Sequence, residues 1–423
     1  MKIITVRDID STLESVRPKP NKELKQQVFS IISNVQSRGD SALREYEKKF
    51  SKVNLRSFKV SKTEIKTAYS QVSQEQIKAI KIAKNRLEKS ENAVKKQLRN
   101  ISLTNEGVKI NKIFSPIDSV GCYIPGGKAR YPSTVVMSVT PAKVAGVKKI
   151  IAVSPANQTG IIDPLTLVAA DICGVDEFYK ISGAQAIAAL SYGTKSIPKV
   201  DKIVGPGGAF VTTAKSILSD VVSIDMIAGP TEIAIIGDSL ANPDFVALDL
   251  ISQAEHSVDT ICCLITSSRK LKEQVIIALQ KKMKGLKRSD IVKQSLQKNG
   301  FIAMCKDEEQ IIQFTNKLAP EHLEIMTKNP NNMAGKITSA GLTLIGKNTP
   351  SSASDYLLGS NHILPTNSFG RTRGSLGVLD YLKIQTKIEA SKTTLQKISK
   401  YLNALTDAEG LPNHYEAVKG RLI

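Results

Sequence analysis

Three features of this 423-residue chain predict an α/β fold of two Rossmann-like units, of an incomplete dinucleotide-binding type. Short apolar runs alternate with Ala-rich helical stretches after Ile117, a second alternating set begins at Glu232, and helical patterns flank both sets. Strand and helix signals in alternation imply a parallel sheet with helices on its faces.

From Asn21 to Asn100 apolar residues recur at helical spacing. Ser61, with Glu64 three residues on, is an N-cap signal within this helical N-terminal region. The first strand set is DSVGCYIP, KKIIAVSP, DEFYKIS, VDKIVGPG and VVSIDM, each run followed by a Gly, Pro or Ser break. The second is EIAIIGD, TICCLITSS, FIAMC and LTLIG, with helices beginning near Asn242, Arg269 and Asp307. Beyond Leu376 the pattern is helical and polar again, from Tyr381 to Tyr401 and from Asp407 to Arg421. That tail is too short for a core of its own, so it is expected to dock on the body or on a partner subunit.

The hydrophobic fraction is 41%, and no run approaches the roughly 18 apolar residues that span a bilayer. The opening MKIITVRDID lacks a basic-then-apolar signal pattern, so a cytoplasmic protein without a membrane role is expected. Cys122, Cys173, Cys262, Cys263 and Cys305 form no C-x-x-C pair and sit among apolar neighbours, which argues against disulfides and a cysteine zinc site. The formal charge of +20 raises the question of a polyanion partner. The densest basic stretch, Lys78 to Arg99, nevertheless alternates lysines with Ile, Ala, Leu and Glu at helical spacing, as a solvated helix face does. No aromatic-studded basic motif accompanies it, so no nucleic-acid partner is expected.

The four histidines each stand in a locally unusual polar string. In SQAEH, Gln253 and His256 lie three apart on a predicted helix and leave the same face. In APEHLE, Glu321 and His322 follow a proline at a predicted helix end, a carboxylate beside an imidazole where a proton relay can operate. Asp355 and His362 lie in the Ser/Gly-rich loop SSASDYLLGSNHILPT, and Glu409 and His414 lie in DAEGLPNHYEA near the C-terminus. Each string alone also reads as ordinary surface polarity.

The Gly-rich strings YIPGG, from Tyr123 to Gly127, and GPGG, from Gly205 to Gly208, follow predicted strands, where backbone amides can approach a nucleotide closely. In GPGGAF, Phe210 occupies the third glycine position of G-x-G-x-x-G, so the dinucleotide fingerprint is absent. Cys122 lies in an apolar strand with no evident base and reads as a core residue rather than a nucleophile.

Taken together, from about Ile117 to the C-terminus, these strings resemble the histidinol dehydrogenase family in order and nearly in spacing. The resemblance implies one zinc per subunit held by Gln253, His256, Asp355 and His414, with substrate nitrogens completing the coordination. It implies His322 as general base and Glu321 as the activator of water. Substrate contacts would come from Thr231, Gln253, His256, His322, Asp355, His362, Glu409 and His414, and NAD contacts from Tyr123, Gln185 and the position of Gly208. The implied reaction takes L-histidinol through an aldehyde to L-histidine with two NAD reduced.

The resemblance further implies a homodimer whose C-terminal tails complete the neighbour's site. The division expected with it is an arm at 1–18, a discontinuous α/β domain at 19–122 and 232–376 with most metal and catalytic residues, an inserted NAD-binding domain at 123–231, and a helical tail at 377–423. The chain departs from the family pattern at Gly208, where Asn is usual, and in GRTRGSLGV, where Arg373 has no evident role. Oxidation of another small alcohol on the same scaffold, or a non-catalytic or nucleic-acid-binding role, are the competing readings.

Overall fold

The computed structural model describes residues 1–16, 22–126 and 130–422. In chain order it begins with strand β1 (Lys2–Thr5) and helix α1 (Ile9–Val16), followed by a helical layer, α2 (Lys22–Arg38), α3 (Asp40–Tyr46), α4 (Lys62–Tyr69) and α5 (Gln74–Gln97). The signal at Ser61 is a full capping box with Glu64 that starts α4, and Ser73 with Gln76 does the same for α5. Strands β2 (Ile101–Asn105) and β3 (Val108–Pro116) form a hairpin.

A five-stranded parallel sheet comes next, built from β4 (Ser119–Tyr123), β5 (Lys149–Ser154), β6 (Glu177–Lys180), β7 (Lys202–Val204) and β8 (Ser223–Ile224) in the order β6-β5-β4-β7-β8. Its connecting helices are α6 (Pro132–Ala145), α7 (Pro164–Cys173), α8 (Gly183–Tyr192) and α9 (Ala209–Ile217). A six-stranded parallel sheet, ordered β1-β11-β10-β9-β12-β13, takes β9 (Glu232–Gly237), β10 (Ile261–Thr266), β11 (Phe301–Met304), β12 (His322–Met326) and β13 (Leu342–Ile345). Helices α10 (Pro243–Ala254), α11 (Arg269–Lys282), α12 (Ser289–Lys298), α13 (Glu308–Leu318), α14 (Pro330–Lys336) and the short α15 (Ser351–Ser354) join these strands. The chain ends in β14 (Leu382–Ala390), α16 (Lys392–Ala408) and α17 (Pro412–Lys419).

Two parallel sheets, each with helices on both faces, match the expected fold class. The expected division of the chain is corrected. Val28, Ile32, Val35 and Leu87, from α2 and α5, belong to one buried cluster with Val120, Ile151 and Ala188 of the five-stranded unit. Residues 58–60 also add to its edge, with Val60 N donating to Phe178 O and Lys180 N to Phe58 O. The helices of 22–97 therefore belong with 119–226, not with 232–376, because their apolar stripes close the five-stranded sheet. The expected arm is not separate either, since β1 pairs in parallel with β11 in register Lys2↔Phe301 and Leu13 of α1 enters the core of the six-stranded unit.

The tail differs as well. Val378 and Tyr381 are buried in the five-stranded unit's core, and the segment from Leu382, expected as helix, is strand β14 paired antiparallel with β3. Helices α16 and α17 follow that strand. All five cysteines are free and buried, and burial pushes the Cys122 thiol far up, which fits the core reading. Among the described residues no helix is long and apolar enough to cross a membrane.

Candidate active site

Glu321 and His322 follow the end of a helix, as expected, and His322 opens strand β12. Helix α13 stops at Leu318, Ala319 takes a left-handed turn (φ 47°), and Pro320 leads straight into the sheet. Next to β12 runs β9, with His322 in register with Ile233, so Glu321 meets Glu232 at the mouths of the two strands. Glu232 N donates to Glu321 Oε2 at 2.7 Å, and Glu321 N donates to Glu232 Oε2 at 3.3 Å. Glu232 Oε1 accepts from Asn367 N at 2.9 Å. Burial, with the Glu321 charge adding, pushes the Glu232 carboxyl up to about 7 although the backbone donors oppose it.

His322 is 3% exposed. Its Nδ1 lies 3.1 Å from Gln253 Nε2, 3.2 Å from the Glu232 carbonyl oxygen and 3.7 Å from Glu321 Oε2. Its Nε2 lies 3.2 Å from Asp355 Oδ1. Burial disfavours a charged imidazole, but Glu321 and Asp355 outweigh it and lift the His322 pKa well above the usual range. Protonated, the ring donates from Nδ1 to the Glu232 carbonyl and from Nε2 to Asp355.

Asp355 follows α15 and is buried. Burial would raise its carboxyl, but the hydrogen bond and charge of His322 hold it below the usual range. Its carbonyl oxygen accepts from His362 Nδ1 at 2.7 Å, which leaves His362 Nε2 to accept from Thr134 Oγ1 at 3.4 Å. Thr134 belongs to α6, so His362 bridges the two units. His256 lies just past the end of α10 instead of on it, its N–H donating to the Gln253 carbonyl. The ring keeps solvent contact; crowding by the protein lowers its pKa, against the pull of Asp355 and Glu321. Thr231 immediately precedes Glu232, its carbonyl tied to Ile261 N at 2.9 Å.

Gln253, His256 and Asp355 thus gather around His322, and nitrogen and oxygen donors of this kind suit zinc. Glu409 and His414 are exposed on the α16–α17 hairpin and are not among the groups that bear on His256, His322 or Asp355. Among the described residues no group of three or more His, Cys, Asp and Glu side chains is placed to hold a metal. Three protein donors suit an open zinc site, so the donor set fits the ion once a fourth ligand arrives from outside the chain.

A second acid pair ties these elements together from beneath. Glu324, two residues along β12 from His322, accepts from Ser351 N at 2.7 Å at the start of α15 and bonds to Asp249, one turn before Gln253 on α10. Burial pushes both carboxyls up.

Of the expected cofactor residues, Tyr123 and Gly208 lie at or just past the carboxyl ends of β4 and β7, where the strand order of the five-stranded sheet reverses. Open α/β sheets bind ligands at that crevice. Gly205 has φ +110°, and a Cβ there would collide with the Tyr123 carbonyl oxygen, so only glycine lets the GPGG turn lie against β4. Beneath the turn, Asp225 accepts from Gly205 N at 2.8 Å and pairs with the buried Lys215 ammonium, which also donates to Gly205 O at 3.0 Å. Arg373 has a place in this assembly: it donates to the Asp225 carbonyl and pairs with Asp380 at 2.8 Å. Gly208 caps α9, and a side chain there would meet nothing within 4 Å, so the missing Asn leaves open space. Gly127 of YIPGG lies outside the described residues.

Tyr123 and Gln185 are buried side by side at the start of α8. Tyr123 Oη accepts from Gly183 N at 3.2 Å, and Gln185 Nε2 donates to Glu47 Oε1 at 3.0 Å. Sequence reasoning missed Glu232 and Glu47. Glu232 was detectable as the one charged residue opening a strand whose six residues are all buried. Glu47 sits in EYEKKFS, where nothing separates it from surface charge.

Residues 15–422 match the family model described as histidinol dehydrogenase. The chain is 42% identical to the histidinol dehydrogenase of Methanocaldococcus jannaschii, covering 96% of this chain and 94% of that protein. It is 44% identical to that of Methanococcus maripaludis, covering 93% and 92%. The crystal structure of histidinol dehydrogenase from Elizabethkingia anophelis superposes with a TM-score of 0.92 at 36% identity, over all of this chain and 98% of that one.

Proposed function

Since the chain belongs to the histidinol dehydrogenase family, we propose that it oxidises L-histidinol through L-histidinaldehyde to L-histidine with reduction of two NAD, as the last step of histidine biosynthesis in the cytoplasm. The observation that carries this reading is His322, held between Asp355, Gln253 and the Glu232 carbonyl with Glu321 beside it. A base and a carboxylate stand together against candidate metal donors, as a proton-coupled oxidation requires.

Gln253, His256 and Asp355, with His414 of a second copy, would hold one zinc per subunit. When bound, the ion supplies a fixed charge that orients the amino group and imidazole of the substrate. Tyr123, Gln185 and the Gly208 turn would hold NAD, which when bound would supply the hydride acceptor for each oxidation.

In the first step His322 acts in its neutral form, which a bound cation beside Asp355 would favour by offsetting the carboxylate charge, and accepts the alcohol proton as the carbinol C–H leaves as hydride. Glu321 then accepts a proton from water as its oxygen adds to the aldehyde carbon, and the hydrate loses a second hydride and a proton to give the carboxylate. Thr231 and His362 line the substrate end, and Glu409 of the second copy closes it. The homodimer is thereby part of the chemistry.

The test is NADH formation from L-histidinol by purified protein, before and after chelation and after zinc is added back. The expected outcome is two NADH per histidine, abolished by the chelator and restored by zinc. Bound zinc without turnover of histidinol would shift the reading to another small alcohol, and salt-sensitive DNA retention without turnover would favour a binding protein.

A further inference from the structure

Glu47 is 1% exposed, yet it comes from a charge-rich segment of the N-terminal helical layer. Residues Glu47–Ser51 form a single π-helical turn after α3, a local widening that often marks functional positions. The Glu47 carboxylate reaches the start of α8, accepting from Ser182 N at 2.9 Å, Ser182 Oγ at 3.2 Å and Gln185 Nε2 at 3.0 Å, with Ser51 Oγ donating to its other oxygen at 2.7 Å. Ser182 is the N-cap of α8 but makes no side-chain cap of its own, and Glu47 binds its N–H and hydroxyl from another element, close to the positive end of the helix.

A carboxylate only accepts hydrogen bonds. Gln185 must therefore turn its NH₂ toward Glu47 and its Oε1 away, toward Gly183, where a Cβ would lie 2.8 Å from that oxygen. Gly183 has φ +63°, and its N–H is held by Tyr123 Oη. One buried carboxylate thus fixes which atom of Gln185 is offered and stands beside the turn that Tyr123 holds.

We propose that Glu47 is a positioning residue for the cofactor, setting the Gln185 amide so that its oxygen faces a hydrogen-bond donor of NAD, a hydroxyl or amide NH rather than a phosphate oxygen. This rests on Gln185 being a cofactor contact. The carboxylate already occupies the positive end of α8, so that helix start is not the seat of the cofactor's diphosphate.

The experiment is calorimetric titration of NAD into the zinc-loaded full-length protein and its variants. In E47A no acceptor remains beside Gln185 Nε2 and the Gln185 amide turns freely, so NAD affinity falls about tenfold, the worth of one misdirected hydrogen bond. E47Q keeps an oxygen for Ser182 N and Gln185 Nε2 and turns its NH₂ to Ser51 Oγ, so it holds NAD affinity to within about threefold of the parent. Zinc affinity, measured by chelator competition, stays as in the parent throughout.

Parent-like NAD binding by E47A while Q185A binds weakly overturns the proposal, as does a loss in E47Q as large as that in E47A. An unchanged affinity in Q185A removes the cofactor assignment itself, and the inference with it. If E47A proves too unstable to titrate, E47D, whose shorter side chain draws the acceptor away from Gln185, takes its place with the same expected loss, and parent-like binding there overturns the proposal.

Discussion

At His322 the first residue of a strand touches three other elements, Gln253 from α10, Asp355 after α15 and the backbone of Glu232 where β9 begins. The strings holding these residues were legible because histidine is rare in the chain and each one stands beside another polar group. Their convergence was not, since spacing within SQAEH or APEHLE says nothing of how α10 and β12 meet. Glu321 bonds to the Glu232 amide through an oxygen that glutamine also possesses, so Glu321→Gln keeps the fold and the metal. Its expected effect is confined to the second oxidation: reduction of NAD by histidinol proceeds, while conversion of the aldehyde slows about 10²-fold, as loss of a general base predicts. Single-turnover kinetics with each substrate read the two steps separately, and equal losses in both contradict the role of Glu321.

Among the elements, strands with continuous apolar runs, such as β9 and β10, were legible. Strand β12 was hidden because HLEIM carries His322 and Glu324 into a fully buried position, where apolar character no longer reports burial. Strands β2, β3 and β14 were hidden for the opposite reason: they lie largely at the surface in segments rich in polar residues, and the apolar–polar alternation of β14 is embedded in a tail that reads as helical on either side of it. Strand β6 begins at Glu177, which joins three pieces of the five-stranded unit by accepting from Lys59 at 2.9 Å, Lys149 at 2.8 Å and the Tyr179 hydroxyl at 2.8 Å. Burial alone would raise its carboxyl, but these partners bring it down to about 2. A depressed carboxylate stabilises the fold above its unfolded pKa and loses that contribution as pH falls through the folded value. Glu177→Gln is therefore expected to cost about 1 kcal/mol near neutral pH, discounted for the exposed lysines. The difference from the parent should close between about pH 4 and pH 2 in urea unfolding. A gap that persists undiminished to the acid end would assign the loss to packing.

On the scale of the whole molecule, the chain passes between the units after α1 and between Met226 and Glu232, and it returns to the five-stranded core at Ile363 and again at Leu376, while His362 meets Thr134 across their boundary. Which sheet the N-terminal helices cover was not legible, because an apolar stripe does not name its partner. The tail explains why two predicted site residues stand apart: Ile384, Ile388, Tyr401 and Leu405 expose apolar surface beside Glu409 and His414, as a subunit contact would. If His414 serves the neighbouring subunit, His256→Ala and His414→Ala are each inactive alone. Co-expressed in equal amounts, they leave about a quarter of all sites intact, because random pairing makes half the dimers mixed and each mixed dimer has one complete site. No recovered activity in the mixture would place His414 within its own subunit.

The parallel pairing of β1 with β11 also sets an order of assembly during translation. The five-stranded sheet and its helical layer emerge as one continuous stretch, ahead of the Val378 and Tyr381 side chains that finish their core, whereas β1 leaves the ribosome before that stretch and its partner follows well after it. The nascent chain thus carries an unclaimed strand end throughout the folding of a neighbour that has open sheet edges of its own. Only four residues long, with Lys2 at its head and Arg7 just beyond, that segment is poorly suited to adhere to a foreign edge, and it can wait for its own.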